Sequence, residues 1–394
     1  MIFKRKLYDK LLVWKQQTAG TKALLIEGAR RIGKSTLVEE FAKNEYRSYL
    51  MIDFNKVSDS VISAFNNYMN DLDTFFLILS SEYGVRLYPK ESIIIFDEIQ
   101  QFPKARQAIK YLVADGRFDY IETGSLISIK ENVNDITIPS EERTLLMYPM
   151  DFEEFAWAMN EEPLMAYIRQ CFDKKVPLEQ GIHAKAMLLF RQYMIVGGMP
   201  KSLSAYLENN RNFEMADMEK RDILTLYRND IKKIKSGYRS SVLSIFDQIP
   251  AFLSRSERRV VMNRIEKGAS FPKYHDTFFW LSDSMIANEC FNCSDPNVGL
   301  SLNEDRTYVK CYMGDTGLLI SHTFDENEIS DGELYREILL GKLSVNEGMF
   351  YENVIAQMLV AAGHKLYFYT RYNQEKHRND MEIDFILSNH SKLR

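Results

Sequence analysis

The stretch from Ala23 to Ala42 constrains this chain more than any other. A short apolar run, Ala23-Leu24-Leu25-Ile26-Glu27, stops at a glycine-rich octad, Gly28-Ala29-Arg30-Arg31-Ile32-Gly33-Lys34-Ser35, and the residues from Ser35 to Ala42 then repeat apolar positions at helical spacing. That order is strand, turn, helix. Further apolar runs at Tyr49 to Phe54, Ser92 to Phe96, Tyr120 to Ile121 and Thr144 to Tyr148 alternate with helical stretches such as Lys104 to Ala114. The alternation predicts an α/β fold, a parallel sheet covered by helices on both faces.

Each residue type in the octad has a physical task. Gly28 and Gly33 permit backbone angles that turn successive N–H groups inward, where they and the helix N-terminus can cradle phosphate oxygens. Lys34 would neutralise the β- and γ-phosphates, and the Ser35 hydroxyl would ligate Mg²⁺. Ala29, Arg30, Arg31, Ile32 and Thr36 complete the expected nucleotide-binding segment.

Such a loop needs an acid for the metal's water shell, and Ile93-Ile94-Ile95-Phe96-Asp97-Glu98 supplies one 62 residues after Ser35. Asp97 is expected to hold Mg²⁺ with Ser35, and Glu98 to polarise an attacking water as base. Ile121-Glu122-Thr123-Gly124-Ser125 ends a further strand in small polar residues, so Thr123 and Ser125 are γ-phosphate sensor candidates. Arg30 and Arg143 are candidates for neutralising developing phosphate charge. Guanine-selective switches use an N-K-x-D tetrad; none is seen, and adenine is expected.

The 394 residues leave room for several domains. Their limits are expected at 1–150 for the phosphate-binding core, 151–235 for a helical lid, 236–323 for a winged-helix-like domain and 324–394 for an incomplete C-terminal α/β domain. The second break is read from Gly197-Gly198-Met199-Pro200 and the long helix that follows. The third unit is read from three short helices, Val242 to Leu253, Arg255 to Ile265 and Tyr274 to Ser284. Two strands, Met285 to Phe291 and Thr307 to Met313, complete it.

Charge is distributed unevenly. Net charge is -5, yet residues 228–275 hold eleven Lys/Arg against four Asp/Glu, a net of +7. On a winged helix this would make a phosphate-backbone footprint for DNA, with Arg255, Arg258, Arg259, Arg264 and Lys273 as contacts. A protein partner docking the same module stays open as an alternative. No apolar run reaches the ~18 to 20 residues of a membrane span, and the charged start lacks the core of a signal peptide, so a cytoplasmic protein without a membrane partner is expected. Four cysteines do not make a disulfide framework, and Cys290, Cys293, Cys311 and His275 lack the second C-x-x-C of a strong zinc signature.

The octad, Ile95-Phe96-Asp97-Glu98-Ile99-Gln100, Thr123-Gly124-Ser125, Pro149 through Phe155, Gly197 through Pro200, Tyr312 through Leu318 and Gly348 through Glu352 together resemble the prokaryotic AAA-type ATP-binding proteins. That family carries a C-terminal domain of unknown function with a restriction-endonuclease-like fold. The resemblance implies ATP and Mg²⁺, with Arg30 and Gln100 near the nucleotide. It also implies a nuclease-like pair, Glu352 on a helix and Asp384 on a strand, that would ligate a metal. No E-x-K segment follows Asp384 before Arg394, so nuclease activity is not expected of this chain. The expected function is a Mg²⁺-dependent ATPase that switches conformation, coupled to DNA or to a protein. The alternatives are a non-catalytic, nucleotide-gated DNA-binding regulator and a signalling-type protein-recognition ATPase.

Overall fold

The parallel sheet is built from five strands, the central ones too apolar to face water. In the computed structural model they are β1 (Ala23–Glu27), β2 (Ser48–Asp53), β3 (Ser92–Asp97), β4 (Asp119–Gly124) and β5 (Glu142–Leu146). Their order is β2-β3-β4-β1-β5, and every pairing is parallel. β1 and β3 are buried along their whole length, as strands covered on both faces must be. β4 therefore stands between β1 and β3 and delivers its C-terminal end beside both. The structure describes residues 1–125, 138–234, 238–255, 258–260, 271–296, 299–325, 332–342, 347–373, 378–389 and 392–393.

Among the described residues, five α-helices complete this first unit, Met1–Tyr148: α1 (Lys6–Gln17), α2 (Lys34–Glu45), α3 (Asp59–Asn67), α4 (Leu72–Tyr83) and α5 (Pro103–Asp115). Local chemistry sets their ends. Ser58 and Asp71 cap α3 and α4 by accepting from Val61 and Thr74 N–H groups, and α5 starts on Pro103 and stops at left-handed Gly116. Between the sheet and α3 to α5 lies an aromatic cluster, where Phe65 meets Phe54, Phe75, Phe96 and Phe102 at ring separations of 5.9, 5.0, 5.7 and 5.7 Å. Each such pair adds about 0.5 to 1.5 kcal/mol beyond its buried area.

The second unit, Pro149–Arg394, opens with α6 (Phe152–Ala158), α7 (Glu162–Lys174), α8 (Gln180–Val196), α9 (Pro200–Glu208) and α10 (Phe213–Lys232). An Asp151–Glu154 capping box starts α6. There follow α11 (Arg239–Leu253), α12 (Phe271–Asp283), β6 (Ala287–Cys293), β7 (Glu304–Met313), α13 (Thr316–Thr323), α14 (Glu333–Leu340), α15 (Gly348–Ala361), β8 (Leu366–Asn373) and β9 (Arg378–Ile386). A buried junction ties the α8–α9 turn to the start of α13. Asp315 accepts from Gly198 N–H at 2.5 Å and caps α13 through Leu318 N–H at 3.0 Å. Gly197, at φ +81°, and Gly317 approach so closely that a Cβ on either would overlap the other's backbone. The fully buried Lys220 ammonium donates to the Ile195 and Gly317 carbonyls at 2.6 and 3.3 Å. Two sequence motifs, around Gly197 and around Asp315, are thus one contact.

The strands expected to form a wing are embedded differently. β6 and β7 pair antiparallel, but β6 also pairs in parallel with β8, giving one four-stranded sheet in the order β7-β6-β8-β9. The expected division at 323/324 runs through this sheet, because the hairpin satisfies its free edge on the C-terminal strands. Residues 258–260 are not helical, and the rest of the helix expected from Arg255 to Ile265 lies largely outside the described residues.

Candidate functional site

The octad lies where its spacing predicts. β1 ends at Glu27, α2 begins at Lys34, and the turn between them uses left-handed backbone at Arg31 (φ 69°) and at Gly33 (φ 91°). A non-glycine residue pays about 1 to 2 kcal/mol for that conformation, so Arg31 stores strain in the loop. Gly28 does not use a positive φ. Its role is space, since a Cβ there would overlap the Met147 carbonyl and the Ile32 side chain. Thr36 is exposed on the first turn of α2.

Three strand ends converge beside the loop. Ser35 Oγ donates to Asp97 Oδ1 at 2.7 Å, Thr123 Oγ1 donates to the same oxygen, and Glu98 N–H donates to Thr123 Oγ1 at 3.4 Å. Ser35, Asp97 and Thr123 are far apart in sequence, and β4 sitting between β1 and β3 is what joins them. Two hard oxygen donors, Ser35 and Asp97, adjoin just after the loop, a donor set suited to Mg²⁺. Glu98 leaves the strand at φ 56°, and its carboxylate accepts from the Gln100 amide. Gln100 is buried on the short helical turn Ile99–Gln101.

Lys34 Nζ donates to the Gly28 and Ala29 carbonyls at 2.9 and 2.8 Å. Burial pushes its ammonium down to about 8, against the opposing pull of the Glu98 and Asp97 carboxylates. Only the charged form attracts phosphate. Triphosphate affinity is therefore expected to fall about tenfold between pH 7 and pH 9 as Lys34 deprotonates, read by titrations at the two pH values.

The remaining candidates divide. Arg30 lies near the Lys34 ammonium, close enough to depress it by charge. Ser125 is buried just past β4. Arg143 is exposed on β5 and pairs with Leu24, about 13 Å of strand rise back from Gly28, so the structure does not bring it to the loop. Sequence reading passed over Glu122. It is fully buried beside the Arg106–Glu142 pair, whose guanidinium bonds are 2.9 and 2.7 Å. Burial first, and the Glu142 charge second, raise its carboxyl well above the ordinary range.

In the second unit Glu352 and Asp384 do come together, around a residue the sequence did not single out. Lys310 on β7, fully buried, places its ammonium 3.1 Å from Glu352, 2.9 Å from Asp384 and 3.2 Å from Glu382. Tyr312 donates to Glu352, and Arg258 pairs with Glu352 as well. The carboxylates are thus neutralised by the chain's own cations. Among the described residues no group of three or more His, Cys, Asp or Glu side chains is arranged to hold a metal ion.

The expected basic footprint is partly spent inside the fold. Arg258 is the Glu352 partner, and Arg228 bonds Asp247 at 3.0 Å and Asp325 at 2.7 Å. Arg259 lies over the Tyr308 ring at 5.0 Å. Lys235, Arg264 and Lys267 lie outside the described residues, as does the side chain of Lys273. Cys290, Cys293 and Cys311 are free and buried. No described helix is long and apolar enough to cross a membrane.

The order of the sheet, the loop between β1 and α2, and the acid at the end of β3 define a P-loop ATPase-type α/β core. Residues 20–156 match the family model described as AAA domain, and residues 187–328 match one described as Domain of unknown function (DUF8612). Among solved structures the chain is similar to the Aeropyrum pernix ORC1 protein in complex with DNA, at 10% identity over 83% of this chain and 93% of that one, TM-score 0.31. The Thermotoga maritima RuvB Holliday junction branch migration motor shares 13% identity over 72% and 89%, TM-score 0.30. AMPPCP-bound DnaA from Aquifex aeolicus shares 10% identity over 72% and 90%, TM-score 0.27. No curated protein matches the sequence.

Proposed function

We propose that the chain binds ATP at residues 28–36 and hydrolyses it slowly, using the nucleotide state as a conformational switch. The observation that carries the reading is the meeting of Ser35 and Asp97 at 2.7 Å directly beside the Lys34 loop. Backbone N–H groups from Gly28 to Lys34 surround the β-phosphate, and the α2 N-terminus adds its partial positive charge. Lys34 leaves the two loop carbonyls and bonds phosphate oxygens instead. Ser35 and Asp97 would hold Mg²⁺, which would supply charge neutralisation at the phosphates. Glu98 accepts a proton from the attacking water, and Thr123, already bonded to Asp97 and to the Glu98 amide, senses the γ-phosphate. Gln100 holds the Glu98 carboxylate in the nucleotide-free arrangement.

The switch is proposed to act through residues 149–394 on DNA or a protein partner. Arg258, expected as a DNA contact, and Arg228, counted in the same basic segment, already satisfy internal carboxylates, which narrows the basic surface left for a phosphate backbone. The nucleotide reading is tested by calorimetry of the whole chain with Mg²⁺ and ATP, and with Mg²⁺ and GTP. Heat with ATP and little with GTP is expected. Silence with both overturns the proposal.

A further inference from the structure

We propose that Arg5 is a positioning residue for the triphosphate seat, fixing the peptide between Ile32 and Gly33 so that the Gly33 N–H faces the phosphates. The inference rests on the nucleotide reading of the loop but concerns a residue outside both the octad and the matched segment 20–156.

Arg5 stands in extended backbone one residue before α1, and Leu7, Leu11 and Trp14 bury that helix. Tyr8 meets Phe41 of α2 edge-on at 5.4 Å, so the element that starts at Arg5 is packed against the helix that starts at the loop. Its side chain is itself buried, and its two terminal nitrogens serve different acceptors. Nη1 donates to the Ile32 carbonyl at 3.0 Å, and Nη2 to the Tyr148 carbonyl at 2.6 Å.

The Ile32 carbonyl belongs to the same planar unit as the Gly33 N–H. That unit is trans, as no cis peptide occurs among the described residues, so its C=O and N–H point in opposite directions. A guanidinium that pins the oxygen on the α1 side thereby sends the hydrogen to the other side. Gly33, at φ 91°, lacks a side chain to resist rotation, and Arg31 beside it is strained. The bond from Arg5 to the Ile32 carbonyl supplies this peptide with a side-chain hold.

The second bond closes the opposite side of the loop. Tyr148 follows Met147, whose N–H bonds the Glu27 carbonyl at 2.8 Å and whose carbonyl limits the space at Gly28. One forked cation therefore ties the last turn of the octad to the strand extension that borders its first residue. A lysine offers a single ammonium and cannot reproduce the fork.

Arg5→Met and Arg5→Lys test this in the whole chain. Arg5→Met is expected to weaken Mg²⁺–ATP binding about tenfold and raise KM alike, with kcat within about twofold, because Asp97, Glu98 and Thr123 are untouched. Arg5→Lys should fall between. Wild-type affinity in folded Arg5→Met, or a loss confined to kcat, overturns the proposal. Should Arg5→Met not fold, hydrogen exchange of nucleotide-free Arg5→Lys decides: faster exchange over residues 28–36 with 6–17 unchanged supports the tie, and equal rates overturn it. Failure of the wild-type chain to bind ATP would be a failure of the nucleotide reading, and the exchange comparison needs no nucleotide.

Discussion

Lys34→Ala should raise the dissociation constant for Mg²⁺–ATP by about ten- to a hundredfold, since it deletes a charge-assisted bond to phosphate worth about 1.5 to 3 kcal/mol. Folding is not the weak point. Alanine removes the cost of burying the ammonium, the same burial that lowers its proton affinity. Calorimetry reads the affinity and thermal unfolding reads the fold. Binding within about threefold of wild type, in a folded variant, would refute the role given to this lysine.

The second large effect is expected from Glu98→Gln. It keeps the shape of the side chain and removes its basicity, so the rate of phosphate release in a single turnover should fall by about 10² to 10⁴ while ATP affinity stays within about threefold. The geometry supports the separation. Glu98 hydrogen-bonds the sensor strand through its backbone N–H, which glutamine preserves, and its carboxylate accepts from the Gln100 amide. A left-handed φ of 56° turns the side chain away from the strand direction followed by Asp97, so neighbouring acids serve different tasks. Wild-type turnover in Glu98→Gln would reassign the base.

The comparison of these two residues shows what was legible in sequence. Lys34 and Ser35 are fixed by an octad whose residues are contiguous, so local rules reach them. Asp97 was legible because four apolar residues before two acids mark a buried strand that ends at an edge. Thr123 was legible only as a strand end, and its bond to Asp97 depends on β4 lying between β1 and β3. Arg5 gave no signal at all. Its acceptors are two backbone carbonyls 27 and 143 residues away, and carbonyls have no sequence identity.

The second unit shows the converse error. The hairpin of β6 and β7 is legible as a pair of strands, but local pattern cannot say what an edge strand pairs with next. β8 took that edge, and Lys310 on β7 was thereby carried to Glu352 and Asp384. Arg258 looked like a surface cation because its sequence neighbours are basic, and it became an ion-pair partner of Glu352.

Sequence alone determined the parallel α/β core, the loop that opens α2 and the acid that faces it, because these depend on apolar periodicity and on backbone angles that only certain residues tolerate. Tertiary structure decided which strand ends meet, which cations are already spent on carboxylates and which arginine steadies the loop. Those outcomes turn on distances between segments remote in the chain, and side-chain order along a sequence does not encode such distances one by one.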